Sequence, residues 1–351
     1  MPIIQLYNAD WRGVVSTRIC PLYDATEAIV RREINGEYSL TATLPRGAAY
    51  ENEVQLGRAI KATVNESGDE QFFIVKRRTR TLTGGMSIYA EHQSYLYNGV
   101  IDRGTAAGTR TPSMALYQAW FGAHPDITDI GSRAFSRSDN TAKITPAVTT
   151  PSSLRSLLLG WLIETYGGEM VFDGFNVEWV DAMGADNGAE YRYGLNLTEM
   201  ETEDIMDEYV SGIFPFWGSV DPKTDVGIVT INDYVLPFSG TYPIQNIKPL
   251  DLTDRFENEP TPAQLLAAAQ EYAAANTPTG IPISIRASRA RIIGDVPVDL
   301  GDTVTVVNTP WGVNQKTRIF ALDFDALRGR VRDAQFGTVN PGFAGAVRNM
   351  K

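Results

Sequence analysis

Cysteine, histidine and basic residues are scarce in this chain. It has one cysteine, Cys20, so no internal disulfide can form, and two histidines, His92 and His124, too few and too far apart for a Cys/His metal cluster. Stability must come from packing. Lys and Arg number 31 against 42 Asp and Glu, a net charge of −11, which argues against a protein that grips nucleic acid, because phosphate contacts need cations. No apolar run approaches the length of a membrane span, and the start, MPIIQLYNADW, lacks a basic segment followed by a long apolar one. The product is therefore expected to stay where it is made unless an assembly carries it out.

What is present is an ordinary globular composition, 43% apolar and 21% charged over 351 residues, enough for two or three domains with cores of their own. The most regular stretch runs from Val298 to Gly337. Val304 and Val306 alternate with Thr303 and Thr305, then Phe320, Leu322 and Phe324 with Ala321 and Asp323, which predicts a three-stranded antiparallel meander with one face on a core. Thr309-Pro310-Trp311-Gly312 and Arg328-Gly329-Arg330 supply its turns. An earlier stretch echoes it. Leu56-Gly57 laid ungapped on Leu300-Gly301 puts Ile60 on Val304 and Ala62 on Val306, and each copy continues through a polar loop, an apolar strand, a glycine turn and a third strand. Both a duplication and two independent meanders satisfy that pattern.

The rest divides by texture. Residues 1–97 read as all-β, six or so short strands that need to curl into a small barrel or sandwich. Residues 98–194 read as an α/β domain. Thr111-Pro112 opens one helix and Thr150-Pro151 a second, with Leu154, Leu157, Leu158, Trp161 and Leu162 on one stripe as far as Gly167-Gly168, and two strands flank Asp173-Gly174. The polar stretch between His124 and Thr149 is expected to be the most mobile part of this domain. Residues 195–250 return to strands, though Thr198 and Glu201 have capping-box spacing that also fits a helical turn over Thr202–Glu208. Thr261-Pro262 starts an Ala-rich helix with Leu265, Leu266, Ala269, Tyr272 and Ala273 on one face, inside a helical insert of 251–291. Because three strands cannot bury themselves, the final meander is assigned with 195–250 to a second barrel, 195–250 plus 292–340, leaving 341–351 as a tail. The fold class is α+β, mainly β.

Jointly, Ile34-NGEYSLTATLP, LGRAIKATV, FFIVKRRTRTLTGGMSIYAEHQSYLY, YGGEMVFDGFNVEW with YRYGLNL, TPAQLLAAAQEY and the GDTVTV…TRIFALDFD block resemble the tail hub, or tail-associated lysin N-terminal region, of long-tailed phages, the prophage tail endopeptidase family. The resemblance implies two related antiparallel β-barrels with an α/β domain between them and a small helical insert, similar to the central hub of contractile-tail baseplates. It also implies a homotrimer whose six barrels form a ring at the tail tip of the virion, in an assembly made in the host cytoplasm. Implied neighbours are the distal tail or tail tube protein, the tape measure protein and receptor-binding or tail-fibre proteins. DNA would pass through the ring without stable nucleic-acid binding. Peptidase or glycosidase parts of relatives follow the hub region, so an enzymatic activity is not expected within these residues.

The residues agree, since no nucleophile-base pair, metal set or cleft carboxylate pair stands out and no cofactor is expected. His92 continues the strand stripe of Met86, Ile88 and Ala90 and reads as structural; His124, before Pro125, reads as a surface loop residue. Cys20 beside Pro21 reads as a small apolar filler. Asp323/Asp325 and Glu199/Glu201 are spaced two apart, as solvated strand faces are. Gly84-Gly85 and Gly167-Gly168 lack the Lys-Ser/Thr of a phosphate loop. Trp161, Trp179, Phe214, Phe216, Trp217 and Trp311 fit cores and interfaces better than a sugar platform. No catalytic, cofactor-binding or metal site is therefore expected. The rival functions are a cell-wall hydrolase and a carbohydrate-binding tail-fibre module.

Overall fold

Alternation sets most of the strands. In Met86–His92, for example, Met86, Ile88, Ala90 and His92 are all buried while Ser87 is exposed, the period-two pattern of a sheet with one covered face. The structure, a computed structural model, describes residues 3–337 except 11, 83, 105–107, 125–131, 142, 144–149, 205–209, 219–228, 231–234, 239–244, 257, 277–282 and 290–294. Most of the polar stretch after His124, and the tail from 341, lie outside the described residues.

In chain order the first strands are β1 (Gln5–Ala9), β2 (Val15–Pro21), β3 (Glu27–Glu33), β4 (Tyr38–Leu44), β5 (Ala59–Thr63), β6 (Glu70–Arg80), β7 (Met86–His92) and β8 (Ile101–Asp102). Helix α1 (Pro112–Gly122) precedes β9 (Ala123–His124), β10 (Ala134–Ser136) and β11 (Ser152–Ser153). Helix α2 (Leu154–Ser156) runs through a π-helical stretch, Leu157–Leu162, into α3 (Ile163–Tyr166). Next come β12 (Glu169–Asp173), β13 (Asn176–Val180), β14 (Ala189–Arg192), β15 (Leu197–Asp204), β16 (Gly212–Trp217), β17 (Val229–Thr230), β18 (Leu236–Pro237) and β19 (Ile247–Asp251). The last elements are α4 (Pro262–Asn276), β20 (Ile283–Arg289), β21 (Thr303–Asn308), β22 (Val313–Asp325) and β23 (Arg330–Gly337). The protein is mainly β.

Two compact units emerge, one of Met1–Glu201 with Arg286–Phe336 and one built on Thr202–Ile285, so the division falls within β15 and within β20. The first unit is organised by a 13-stranded sheet in which one strand order occurs twice: β3-β4-β7-β6-β5 and β15-β20-β23-β22-β21. The flanks correspond in place but not in direction. β1 lies antiparallel to β5 with Leu6 opposite Ile60, whereas β14 lies parallel to β21 with Ala189 opposite Val304.

The expected echo is present in the backbone itself. Gly57 N–H donates to Val75 O at 2.9 Å and Val75 N–H to Arg58 O at 2.8 Å; Gly301 N–H donates to Ile319 O and Ile319 N–H to Asp302 O, both at 2.9 Å. Both glycines have positive φ, +82° and +88°, the conformation that lets the chain kink into the hairpin without a Cβ penalty. With Gly57 laid on Gly301, no gap is needed as far as β7 and β23. Ala59 opposite Ile74 falls on Thr303 opposite Arg318, the turn from Asn65 to Gly68 falls on that from Thr309 to Gly312, and buried Ala90 falls on buried Ala334. The same offset places β4 on β20 to within a residue, a match that side-chain pattern does not reveal.

Along β22 the predicted alternation shifts. Ile319 and Ala321 are buried, Phe320 is half-buried, and Leu322 and Phe324 are buried on the opposite face. The neighbour changes over the same length: Thr303–Asn308 of β21 pairs with Val313–Arg318, and β3 then takes over the pairing from Ala321 to Asp325. Both faces of the C-terminal half are covered.

A second cluster gathers α1, the helical run Leu154–Tyr166 and two three-stranded sheets, β10-β13-β12 and β11-β8-β9. Leu154, Leu157, Leu158 and Leu162 are buried with Trp179, the predicted stripe, each full burial contributing about 1.5–3 kcal/mol. Thr111 caps α1 as expected, its hydroxyl accepting from Met114 N–H at 3.4 Å. The second helix starts later than Thr150-Pro151 predicts. Ser152 and Ser153 pair with Asp102 and Ile101 as β11, and the Ser153 hydroxyl then accepts from Ser156 N–H at 3.1 Å, so Ser153 is the cap. The strand pairing holds these residues extended past the proline.

Strand β15 settles the 198–204 region as extended, and Thr198 Oγ1 donates to Ser288 O on β20 at 3.1 Å instead of capping a helix. The possible helical turn continued over 205–208, outside the described residues. In the second unit β16 carries β19 parallel on one edge and β17 and β18 antiparallel along the other. Leu265, Ala268 and Ala269 of α4 pack there with Val210, Ile213, Leu250 and Leu252, while Leu266 is half-buried. Thr261 and Gln264 cap α4 reciprocally: Thr261 N–H donates to Gln264 Oε1 at 2.9 Å and Gln264 N–H to Thr261 Oγ1 at 3.4 Å. The sequence pattern predicts that all of 195–250 joins the final meander; the hydrogen bonds assign β15 to that group and β16 to β19 to a sheet of their own.

Candidate functional site

One Ser–His pair exists that sequence inspection did not pick out. His92 ends β7, and the chain turns at once into a short 3-10 helix, bringing Ser94 Oγ to 3.0 Å from His92 Nδ1. Ser94 N–H also donates to Nδ1 at 3.2 Å, so Nδ1 is the acceptor and Nε2–H faces Gln71 Oε1 at 3.1 Å. Gln71 passes the chain of bonds to Asp173 and Gly174, and Arg155 Nη1 donates to Ser94 Oγ at 3.1 Å. The ring stacks on Tyr38 at 4.1 Å.

This arrangement cannot act as a nucleophile and base. Desolvation first, then the charges of Arg155 and Arg32, pull the His92 pKa down to about 3, far too weak a base near neutrality. Both His92 and Ser94 are fully buried, so no substrate reaches them. The network instead ties β6 and β7 to α2 and to the β12–β13 hairpin. His92 is structural, as its strand position predicts.

The other singled-out residues do not converge. His124 lies in the two-residue strand β9, opposite Ile101, and not in a loop. Cys20 is buried in β2 and burial raises its thiol pKa, with the nearby Glu53 adding to it. Glu199 and Glu201 are exposed on β15. Gly167 ends the helical run with φ +76°, and Gly84 N–H donates to Thr81 Oγ1 in the β6–β7 turn. Trp179 is fully buried, Trp161, Phe214, Phe216 and Trp217 are half-buried, and Trp217 Nε1 donates to Phe256 O at 3.2 Å; Trp311 alone among these six is exposed, on the β21–β22 turn. No group of three His, Cys, Asp or Glu side chains suited to a metal ion occurs among the described residues.

Asp323 and Asp325 depart from the solvated-face reading. Both are shielded where β22 pairs with β3, Asp323 standing directly opposite Arg31. Asp323 accepts from Arg31 at 3.1 Å and lies 3.9 Å from Arg286; desolvation raises its pKa against the pull of Arg31. Asp325 Oδ1 accepts from the N–H groups of Leu327 and Arg328 at 3.1 and 3.0 Å, and its Oδ2 from Arg328 Nη1 at 2.6 Å, holding the β22–β23 turn. Asp323 thus links two strands and Asp325 holds a turn, roles that sequence spacing alone does not disclose.

A second set of groups fixes the α/β part to the last meander. Arg318 and Glu169 form a bidentate pair at 2.5 and 2.7 Å, Arg318 also donates to Gly301 O and Met183 O, and Glu169 Oε2 accepts from Met183 N–H at 2.7 Å. Nearby, a cavity of about 360 Å³ lies between Arg32, Tyr38, Met170, Phe172, Met183 and Asp299. Several of its polar groups are engaged: Asp302 accepts from the N–H groups of Ala185 and Asp299 at 2.8 Å each, and Asp299 pairs with Arg32 and Asn65, while Arg32 Nε is buried without a hydrogen-bond partner.

No family model matches the chain, and no curated protein matches it. Solved structures do. A prophage tail protein from Listeria monocytogenes aligns over 99% of this chain and 98% of its own at a TM-score of 0.63 and 13% identity. A tail protein from Neisseria meningitidis aligns over 98% of both chains at 0.62 and 10%, and the 43 kDa tail protein of prophage MuSo2 from Shewanella oneidensis over 98% and 99% at 0.58 and 12%. At such identities the likeness is one of fold, and it runs the length of the molecule: this chain has the prophage tail-protein fold that the resemblance in its sequence implies.

Proposed function

We propose that the chain is a structural, non-enzymatic phage tail protein, a hub of three copies at the tail tip. Each strand run curls into one barrel, and six barrels make a ring joining the tail tube to the tip. The single observation that carries this reading is the doubled strand order with its matching glycine-kinked hairpins. A sixfold tube meets a threefold tip most simply through a subunit that presents two near-equivalent faces, so that a closed trimer offers six. The net charge of −11 suits a channel for DNA, because like charge keeps a passing duplex from adhering. The buried, charge-neutral His92–Ser94 pair supports a role without catalysis.

Implied partners are the distal tail or tail tube protein on one side and the tape measure and receptor-binding or fibre proteins around it, in the virion. Static light scattering on the purified chain tests the reading. A mass of three chains is expected; a stable monomer or dimer at all concentrations contradicts it. Release of soluble fragments from peptidoglycan by the same sample would overturn the non-enzymatic part.

A further inference from the structure

The two strand runs match strand for strand, and one pairing of the set has no counterpart. On the edge of β22 beyond β21, Ala321–Asp325 is taken up by β3. The corresponding edge of β6, beyond its pairing with β5 over Glu70–Ile74, has no strand on it from Lys76 to Arg80 among the described residues. Ungapped, Arg77 falls on Ala321 and Thr79 on Asp323. On the other side of the comparison, β3 has β4 and β22 as neighbours, whereas its counterpart β15 has, among the described residues, β20 alone and ends the sheet. Among the described residues two open strand edges therefore remain, and they are the counterparts of the two, on β22 and β3, that pair within the chain.

Their charges are opposite. Residues 76–80 read Lys-Arg-Arg-Thr-Arg and all five are exposed. Strand β15 reads LTEMETED, with Glu199 and Glu201 exposed. Arg78 and Arg80 are tied down, to Val54 O at 2.6 Å and to Glu51 at 3.0 Å; Lys76 reaches Glu91 only at 3.9 Å, and Arg77 lies over the Tyr89 ring at 5.2 Å. Charge on an edge strand also serves to repel unwanted pairing. Opposite signs on two open edges of one sheet do something more: each repels its own kind and admits the other.

We propose that the β6 edge from Lys76 to Arg80 docks on β15 of a second copy of this chain, repeating between chains the pairing that β22 makes with β3 inside one. The proposal rests on the ring reading above and supplies its interface. Such a contact is head-to-tail, so it closes only if successive copies turn back on the first, and three copies give six equivalent junctions, three within chains and three between. Backbone bonds supply the affinity and the paired charges the choice of register.

Sedimentation velocity on the full chain and three variants tests it: Lys76→Glu with Arg77→Glu, Glu199→Lys with Glu201→Lys, and all four together. With the wild type at three chains, each two-residue reversal is expected to abolish the three-chain species and the fourfold swap to restore it. A three-chain species that survives both reversals, or a swap that fails to restore it, overturns the β6–β15 junction and leaves the ring standing. A wild type that never reaches three chains overturns the ring and this junction with it.

Discussion

Arg31 donates to Asp323 at 3.1 Å across the line where the second strand run meets the first. Arg31 also binds Glu33 at 2.5 Å and lies 3.4 Å from Glu37, so one guanidinium serves three carboxylates at the junction. Arg31→Ala leaves Asp323 shielded with only the distant Arg286, and is expected to cost about 2–3 kcal/mol in urea unfolding. Asp323→Asn should cost less. Burial holds the Asp323 pKa above its unfolded value, so the stability it contributes is full below the unfolded pKa and lost as pH rises through the folded one. Asparagine lacks that loss.

His92 makes the opposite pH prediction. Its pKa falls from 6.5 to about 3 on folding, so its contribution is present above the unfolded pKa and is lost as pH falls through the window between those values. Below about pH 6.5 the unfolded chain takes up a proton that the folded one refuses, a slope of up to about 1.4 kcal/mol per pH unit. Urea titrations from about pH 7 to about pH 4 should show a flatter dependence in His92→Gln than in the wild type.

Gly57 and Gly301 share a conformation but not surroundings. A Cβ on Gly57 meets nothing within 4 Å, whereas one on Gly301 comes within 2.6 Å of Met183 O. Gly57→Ala should cost the strain of a positive φ, about 1–2 kcal/mol, and Gly301→Ala clearly more. Equal midpoints in thermal unfolding would show that the two kinks are not braced differently.

Cys20 is buried, with its thiol pKa raised, so the native protein should react with an aromatic disulfide reagent only as fast as it opens. Rapid labelling without denaturant would contradict that burial.

The meanders were legible because alternation and turn glycines act locally: Val304, Val306, Gly312 and Gly329 announce themselves wherever the strands end up. The echo from Leu56 to Leu300 was legible for the same reason. What covers a strand is not local. Asp323 and Asp325 have the spacing of a solvated face, and only the pairing with β3, far away in sequence, sets Arg31 opposite Asp323. The match of β4 to β20 escaped because strand position is kept while side chains are not. The Ser153 cap escaped because β11 needs Ile101 and Asp102 as partners. The Ser94–His92 pair had a signal, His-x-Ser at a strand end, but its meaning depends on Gln71, Arg155 and complete burial.

End-on electron micrographs of the purified assembly, sorted by rotational symmetry, test the central claim most directly. Two equivalent repeats in each of three chains predict a ring with six nearly equal lobes and a weaker threefold modulation. A particle of three chains showing three lobes only, or a ring with any other number of chains, would contradict it.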